Sequence, residues 1–578
     1  MNDFELETKL LEEIDPDKIM EHAEYITAED RESGSPGEKR AAEYFRKVMT
    51  EYGLQTDIHY VENYISLPVS GELWLGKDDC SGVEKLASTI THSYGASTGN
   101  EGLSGEAVFF SGNENVKGKI AIMHGLASAV PCKKLENAGA AGIICITGGK
   151  YPYNMSISPI WGHPVPETVD LISKIPVVTV NSEDGEKLLN YVNESKDINS
   201  PVFMRTEVST KFRTVPICVA ELKAENPTDR FVMFGGHVDS WHKGGADNGG
   251  SNAIILELAR VFSKYTEYLN TNIRFVWWSG HSNGRYSGSN WYADYYWEDI
   301  HDNAVANFDI DTVGTKGSCS FRHIECNRQC YELGKNVVKE RTGQDPEYMR
   351  IQRNGDQSFW AHGVPTLFEC LSLQPETNQG EGTFMPGLPW YWHTICDTFE
   401  HLGREELLRD ARIFALAIWR FVNSRVYPFN FADLSLEMED DITNYIKTAG
   451  DTFDLEDVRY LILELRKCFE RLDAEIKKEN SSSEIKEPSA YTEQLNDLIM
   501  ELNRILIPVH YCKNGDPFQV DLAIPIPAFP EFSELKELAV MEPDSDNFKF
   551  LYRKIFREKN RVLHYLKEAL KLLDAYGF

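Results

Sequence analysis

The central part of the chain alternates short apolar runs with amphipathic stretches of helical length. The apolar runs occupy residues 231–236, 273–278, 304–309 and 365–370. The helical stretches between them are Ser251–Tyr265, Ser289–Trp297 and Gln329–Arg341. Strands separated by helices of this length predict an α/β fold, with a mostly parallel sheet covered by helices on both faces.

The regions on either side of this pattern differ from it. An amphipathic helix is expected from Glu38 to Gly53, whereas short strands and turns dominate from residue 70 to 210. After Tyr427 the chain becomes helical, and apolar residues recur with the 3,4 spacing of a helix that packs against another helix. The residues of this seam are Leu455, Val458, Ile462, Leu465, Phe469, Leu472 and Ile476.

These changes of pattern divide the chain into three predicted domains. Residues 1–68 and 212–428 are expected to form the α/β domain, residues 69–211 an inserted β-rich domain, and residues 429–578 a helical domain. The seam is expected to support a homodimer, although it could also close within the chain.

The charge balance narrows the classes of partner. The 578 residues contain 59 Lys and Arg against 90 Asp and Glu, a net charge of −31. Nucleic acid and anionic membranes require a basic surface, so neither is expected. The N-terminus lacks the pattern of a secretory signal, no apolar run is long enough to span a membrane, and the 11 cysteines form no CxxC pairs. A cytoplasmic protein that acts on a small molecule or a short peptide is therefore expected.

Polar residues follow the first apolar run directly. His237, Val238 and Asp239 come at its end, and Asp247 lies ten residues beyond His237 in a glycine-rich segment. Ligands of parallel sheets bind beyond the carboxyl ends of the strands, so these residues are candidates for a metal site. The carboxylate of Asp239 is expected to hold the His237 imidazole in one tautomer, and Asp247 could bridge two cations.

The same edge of the sheet is expected to receive polar residues from three later segments. His281 follows residues 273–278, Asp309 ends residues 304–309, and His393 lies in the segment YWHTICDT. Mixed imidazole and carboxylate ligands suit zinc, and they also suit manganese, iron or cobalt. One or two divalent ions are therefore expected, with zinc first.

This order of motifs resembles the two-zinc aminopeptidases and the glutamate carboxypeptidase and transferrin-receptor group. The resemblance implies a zinc aminopeptidase-like fold in which His237, Asp247, Asp309 and His393 are ligands of two zinc ions. It also implies that the helical tail supports a homodimer. The segments that are similar to the protease-associated domain, which is inserted in large members of the group, are residues 116–125, 134–146 and 175–189.

The chain departs from the family pattern at one point. Where the family carries two glutamates, the first a general base and the second a metal ligand, this chain has His281 and Ser282, with one extra residue before Gly288. His281 is expected either to bind the second ion or to act as the base. A general base contributes roughly 100- to 10,000-fold, and a metal ion can acidify water without one, so hydrolysis remains chemically feasible.

Three residues are candidates for substrate binding. Arg285 follows the altered segment, and Arg353 and Asp356 lie close together further along the chain. An arginine suits a substrate carboxylate, and the resemblance implies pocket residues in the segment of Asp356.

Three classes of function remain open. The first is a metal-dependent hydrolase that cleaves an amide bond of a small peptide or an acylated amino acid. The second is a metalloenzyme on the same scaffold that acts on a non-peptide bond through His281. The third is a non-catalytic, receptor-like interaction protein, which has no chemical need for four ligand-type residues together.

Overall fold

The computed structural model describes residues 3–79, 83–194, 201–368, 370–375, 387–481, 489–513 and 516–578. A mixed sheet with helices packed on its faces confirms the predicted α/β fold class. Neighbouring residues of the central strands pack into different buried clusters. Val232 and Phe234 lie in one cluster, and Phe231 and Met233 lie in another. Because side chains alternate across a strand, both faces of this sheet are covered.

The N-terminal segment forms three helices and one long strand. These are α1 (Asp3–Glu12), α2 (Pro16–Ile26), α3 (Pro36–Glu51) and β1 (Gln55–Trp74). Ser35 caps α3 through the N–H of Glu38, and Pro36 occupies the first turn, where a missing N–H breaks no helical bond. The helix predicted from Glu38 is therefore present and begins two residues earlier.

The inserted region begins and ends in two long paired strands. Its elements are β2 (Ile90–Thr91), β3 (Leu103–Phe109), β4 (Ile120–His124), α4 (Ala129–Asn137), β5 (Gly142–Ile146), β6 (Val177–Val180), α5 (Ser182–Glu194) and β7 (Pro201–Leu222). β1 and β7 pair antiparallel from Gln55 opposite Glu221 to Trp74 opposite Phe203, so they run through both predicted domain boundaries. Only short strands were predicted here, because both long strands expose polar residues without regular alternation.

The central region forms the edge of the sheet at which the candidate site residues lie. Its elements are β8 (Phe231–His237), α6 (Gly250–Phe262), β9 (Asn272–Trp278), α7 (Ser287–Tyr295), α8 (Trp297–Asn303), β10 (Ala304–Asp309), β11 (His323–Cys326), α9 (Tyr331–Thr342), β12 (Glu347–Arg350), β13 (Thr366–Leu367) and α10 (Arg404–Val422). The strands lie in the order β12, β11, β13, β10, β8, β9, β7. β10, β8 and β9 are parallel neighbours, so their carboxyl ends meet at one edge.

The C-terminal region is helical. It contains α11 (Phe431–Ala449), α12 (Glu456–Asn480), α13 (Ala490–Tyr511), α14 (Leu535–Leu538) and α15 (Asp546–Ala575). The seam of α12 is buried against α11 and α15 of the same chain. The seam that suggested a homodimer is thus occupied by helices of its own chain. The homodimer stays a prediction. Within the described residues, no helix combines the length and the apolarity that crossing a bilayer requires.

Candidate metal centre

Three histidines meet beyond the carboxyl edge of the sheet. His237 is the last residue of β8, His281 lies three residues after β9, and His393 comes from the segment before α10. The Nδ1 atom of each ring contacts an oxygen acceptor, so each ring carries a proton there and leaves Nε2 as its ligand atom. The acceptors are the carbonyl oxygen of Asp239 for His237 at 2.7 Å, Oδ2 of Asp356 for His281 at 2.8 Å, and the carbonyl oxygen of Asn154 for His393 at 2.7 Å.

Two aspartates lie beside these imidazoles. Asp247 spans two of them, with Oδ1 2.9 Å from Nε2 of His237 and Oδ2 2.9 Å from Nε2 of His393. Oδ1 of Asp311 lies 3.6 Å from Nε2 of His237. One ligand atom each from His237, His281 and Asp311 lie within 4.8 Å of one another. Imidazole nitrogens and carboxylate oxygens at this spacing can share one metal ion.

The buried atoms at this point favour a cation between them. Nε2 of His237 and Oδ1 of Asp247 are buried and face each other at 2.9 Å, without the alignment of a hydrogen bond. Burial lowers the pKa of His237, but the carboxylates of Asp311 and Asp247 outweigh burial and raise that pKa well above its ordinary value. The site therefore stabilises positive charge, and a divalent metal ion fits its donors.

Asp309 and Asp311 have different surroundings. The family resemblance selected Asp309, but its carboxylate accepts the backbone N–H of Asp356 at 3.2 Å. Burial and the carboxylates of Asp356 and Asp311 raise the pKa of Asp309 well above its ordinary value. The structure instead brings Asp311, which the sequence reasoning passed over, to the imidazoles. No local pattern separates two aspartates that lie two residues apart at the end of one strand.

Asp239 contributes through two different groups. Its carbonyl oxygen, rather than the predicted carboxylate, orients the His237 ring. Its carboxylate accepts the backbone N–H groups of His281 at 3.1 Å and Ser282 at 3.0 Å. Asp239 thus ties the loop after β9 to the end of β8, next to the metal-binding atoms.

Comparison with known proteins identifies this scaffold. Residues 218–418 match Peptidase family M28. Aminopeptidase YwaD of Bacillus subtilis (strain 168) is 26% identical over 326 residues, which cover 54% of this chain and 65% of that protein. The probable glutamate carboxypeptidase VP8 of Zea mays is 24% identical over 254 residues, 40% of this chain and 34% of that protein. The structure of BSAP, a zinc aminopeptidase from Bacillus subtilis, matches with a TM-score of 0.52 at 21% identity, over 70% of this chain and 94% of that structure.

The chain thus resembles the zinc aminopeptidases, in sequence over residues 218–418 and in fold over 70% of its length. It spans less than two thirds of either curated relative, YwaD or VP8. His281 and Ser282, which replace the glutamate pair of the family pattern, lie within the matched residues 218–418. The departure therefore concerns the centre of this zinc aminopeptidase-like domain itself.

A cavity of about 480 Å³ opens beside the metal-binding atoms of this zinc aminopeptidase-like chain. All three predicted domains line it, through residues 128–130 of the inserted region, Trp241 and Trp392 of the α/β region, and Ala523 of the helical region. A small ligand in this cavity would be in reach of each domain.

The predicted substrate-binding residues differ in their positions. Arg285 and Arg353 line the cavity, whereas Asp356 contacts the His281 ring. Arg285 donates to a backbone carbonyl of the helical region at 3.1 Å, and its buried Nε has no partner in the described part of the chain. The guanidinium of Arg353 lies over the ring of Trp161 at 4.0 Å. The Nε of Arg353 is likewise buried without a partner in the described residues, but Arg353 is buried as a whole, whereas Arg285 is partly exposed in the cavity. Arg285 is therefore better placed to bind a substrate carboxylate.

Two buried residues that the sequence reasoning missed support the segment of Asp247. Asp397 accepts the backbone N–H groups of Ala246 at 2.7 Å and Asp247 at 3.1 Å. Burial raises the pKa of Asp397 to about 8. Arg31 donates to four backbone carbonyls, including those of residues 243 and 244. The HTICDT segment could have indicated Asp397, but no local signal indicates Arg31.

Proposed function

We propose that this zinc aminopeptidase-like protein is a metal-dependent hydrolase that cleaves an amide bond of a small peptide or an acylated amino acid. The observation that carries the proposal is the convergence of three imidazoles, from His237, His281 and His393, on the carboxylates of Asp247 and Asp311. Each imidazole is held by an acceptor at Nδ1, as metal-binding histidines are. YwaD, an aminopeptidase, and BSAP, a zinc aminopeptidase, support this class of reaction.

The side chains around the cavity bind and orient the substrate. A divalent ion, zinc first and manganese, iron or cobalt as alternatives, supplies Lewis acidity that polarises a carbonyl and acidifies water. The volume of about 480 Å³ suits a small molecule or a short peptide. Arg285 binds a carboxylate of that substrate, and Trp241 and Trp392 contact its apolar part.

Proton transfer in this centre depends on imidazole rather than on glutamate. Ser282 cannot accept a proton near neutral pH, whereas His281 and His393 both line the cavity. A positioned histidine contributes roughly 100- to 10,000-fold by taking a proton from water and returning it to the leaving amine. An imidazole can therefore do the work of the missing base.

Metal content and activity test the proposal together. Protein purified without chelator is expected to contain a transition metal by elemental analysis and to release an amine from members of a panel of dipeptides and N-acyl amino acids. His237→Ala should abolish both properties, whereas His124→Ala, at an exposed histidine of the inserted region, should change neither. Protein that is free of transition metal and inert on the whole panel contradicts the proposal.

The replaced glutamate pair favours a second candidate, in which the same centre attacks a non-peptide bond. Adding small esters, ureides and cyclic amides to the panel distinguishes the two candidates. Turnover confined to these compounds would favour the second candidate. A metal-loaded protein that turns over nothing in either set would favour a non-catalytic role.

A further inference from the structure

The donors of the metal centre are distributed unequally over its two sides. On one side, His237, His281 and Asp311 each provide a ligand atom within 4.8 Å of the others. On the other side, Nε2 of His393 faces Oδ2 of Asp247 at 2.9 Å. Among the residues that the structure describes, no further His, Cys, Asp or Glu completes a three-donor group with this pair.

We propose that the centre holds one tightly bound divalent ion through His237, His281 and Asp311, and that Asp247 and His393 do not form a second tight site. Oδ1 of Asp247 lies close enough to His237 to join the same ion. Three protein ligands with an open position are the arrangement of catalytic zinc sites, whereas two donors leave an ion mostly solvated. The inference rests on the proposed function for what the ion does, but the number of ions is measured without any substrate.

His281 is held as a metal ligand is held. Asp356 contacts its Nδ1 at 2.8 Å, and Ser289 donates to the other oxygen of Asp356 at 2.6 Å. The His281 ring stacks on the His237 ring with centroids 3.8 Å apart, and it meets the Tyr286 ring edge-on at 4.8 Å. These contacts fix the orientation of the ring, and Nε2 is the atom left to bind the ion.

The same distribution leaves His393 available for proton transfer. Its ring lines the cavity, stacks on Trp392 with centroids 3.5 Å apart, and faces the carboxylate of Asp247. An imidazole between a carboxylate and a substrate cavity can carry a proton from water to a leaving group. His281, at the position of the family's base, thus becomes a metal ligand. His393, which the family resemblance assigns as a zinc ligand, becomes the proton carrier.

Metal stoichiometry tests this assignment. Elemental analysis of the wild-type protein after dialysis against a weak chelator is expected to give about one ion per chain. His281→Ala and Asp311→Asn should lose that ion. Asp309→Asn, the matched buried carboxylate two residues away, should keep it, and so should His393→Ala. Ser282→Glu, which restores the second glutamate of the family pattern, should raise the content toward two.

A cobalt titration of metal-free wild-type protein provides a readout that does not depend on how variants fold. Its visible absorption should reach an endpoint at about one equivalent. Asp356→Asn should weaken metal affinity about 10- to 100-fold, since it removes the carboxylate that orients the His281 ring.

The outcomes separate this inference from the proposed function. Two tightly bound ions in the wild type, both retained in His281→Ala, would overturn the single-ion assignment and leave the hydrolase intact. Unchanged affinity in Asp356→Asn would also count against His281 as a ligand. A wild-type protein that binds no metal at all would overturn both proposals.

Discussion

Two buried aspartates show how differently the helical tail and the metal centre use polar groups. In the tail, Asp473 accepts the backbone N–H groups of Phe431 at 3.1 Å and Ala432 at 2.8 Å, at the start of α11. At the centre, Oδ1 of Asp247 and Nε2 of His237 are buried without a hydrogen-bond partner in the described ranges. A buried polar group without a partner costs about 1–3 kcal/mol. Backbone N–H groups satisfy both oxygens of Asp473, whereas the two oxygens of Asp247 face imidazole nitrogens that could share a metal ion with it.

The same contrast appears in the exposure of other side chains in the two regions. The seam of α12 is buried within the chain, whereas Trp392 and Arg285 are partly exposed in the cavity. Substitutions in the seam are therefore expected to change stability but not metal or substrate binding. Substitutions at the centre are expected to do the reverse.

The largest effect is expected at the centre. His237→Gln should remove the bound ion and slow amide hydrolysis at least about 100-fold, because the variant loses the imidazole that lies next to both Asp247 and Asp311. In the metal-free protein, this substitution should change the free energy of unfolding by less than the substitution of a core residue does. Elemental analysis, kinetics and urea denaturation with chelator measure these effects. Full metal content and full turnover in this variant would contradict the expected difference between the metal centre and the tail.

A core substitution in the tail should show the opposite profile. Leu465→Ala should lower the free energy of unfolding by about 2–5 kcal/mol, because Leu465 is fully buried in the seam and its truncation leaves a cavity. Metal content per folded chain and turnover below the melting transition should stay at wild-type values. Urea denaturation combined with elemental analysis checks this expectation. A folded variant that has lost its ion would show that packing in the tail affects metal binding at the centre.

Removing the partly exposed arginine of the cavity should affect substrate binding more than metal binding. Arg285→Ala should raise KM about 10- to 100-fold for a substrate with a free carboxylate, as expected for a charge-assisted hydrogen bond. Metal content should not change. The matched comparison is each substrate against its carboxamide analogue, and an equal rise in KM for both would show that Arg285 does not recognise the carboxylate.

The last effect is confined to the pH dependence of stability and is expected at the capping aspartate of the tail. Burial raises the pKa of Asp473 from an ordinary value of 3.8 to about 7. Between these values the folded chain keeps a proton that the unfolded chain has released, so stability should fall as pH rises through this window. Asp473→Asn should abolish this fall and cost at most about 1 kcal/mol in capping. Urea midpoints at about pH 5 and about pH 8 measure it, and an identical pH slope in the variant would contradict the assignment.

Much of the architecture and part of the centre could be predicted from local pattern. His237 ends β8 and His281 follows β9, and the carboxyl ends of parallel neighbours meet at one edge of the sheet. The replacement of the glutamate pair by His281 and Ser282 was also visible, because it depends only on position along the chain. The seam was recognised from its spacing alone.

Only the tertiary structure decided which atoms meet. Asp311 rather than Asp309 faces the imidazoles because of how the chain turns after β10. The His393 ring is oriented by Asn154, which is 239 residues away in the inserted region, and the α12 seam packs against helices of its own chain. Residue type and periodicity determine which side chains are buried and which lie near an edge. A ligand distance or a hydrogen bond depends on how segments far apart in the sequence pack together, and no local pattern encodes that packing.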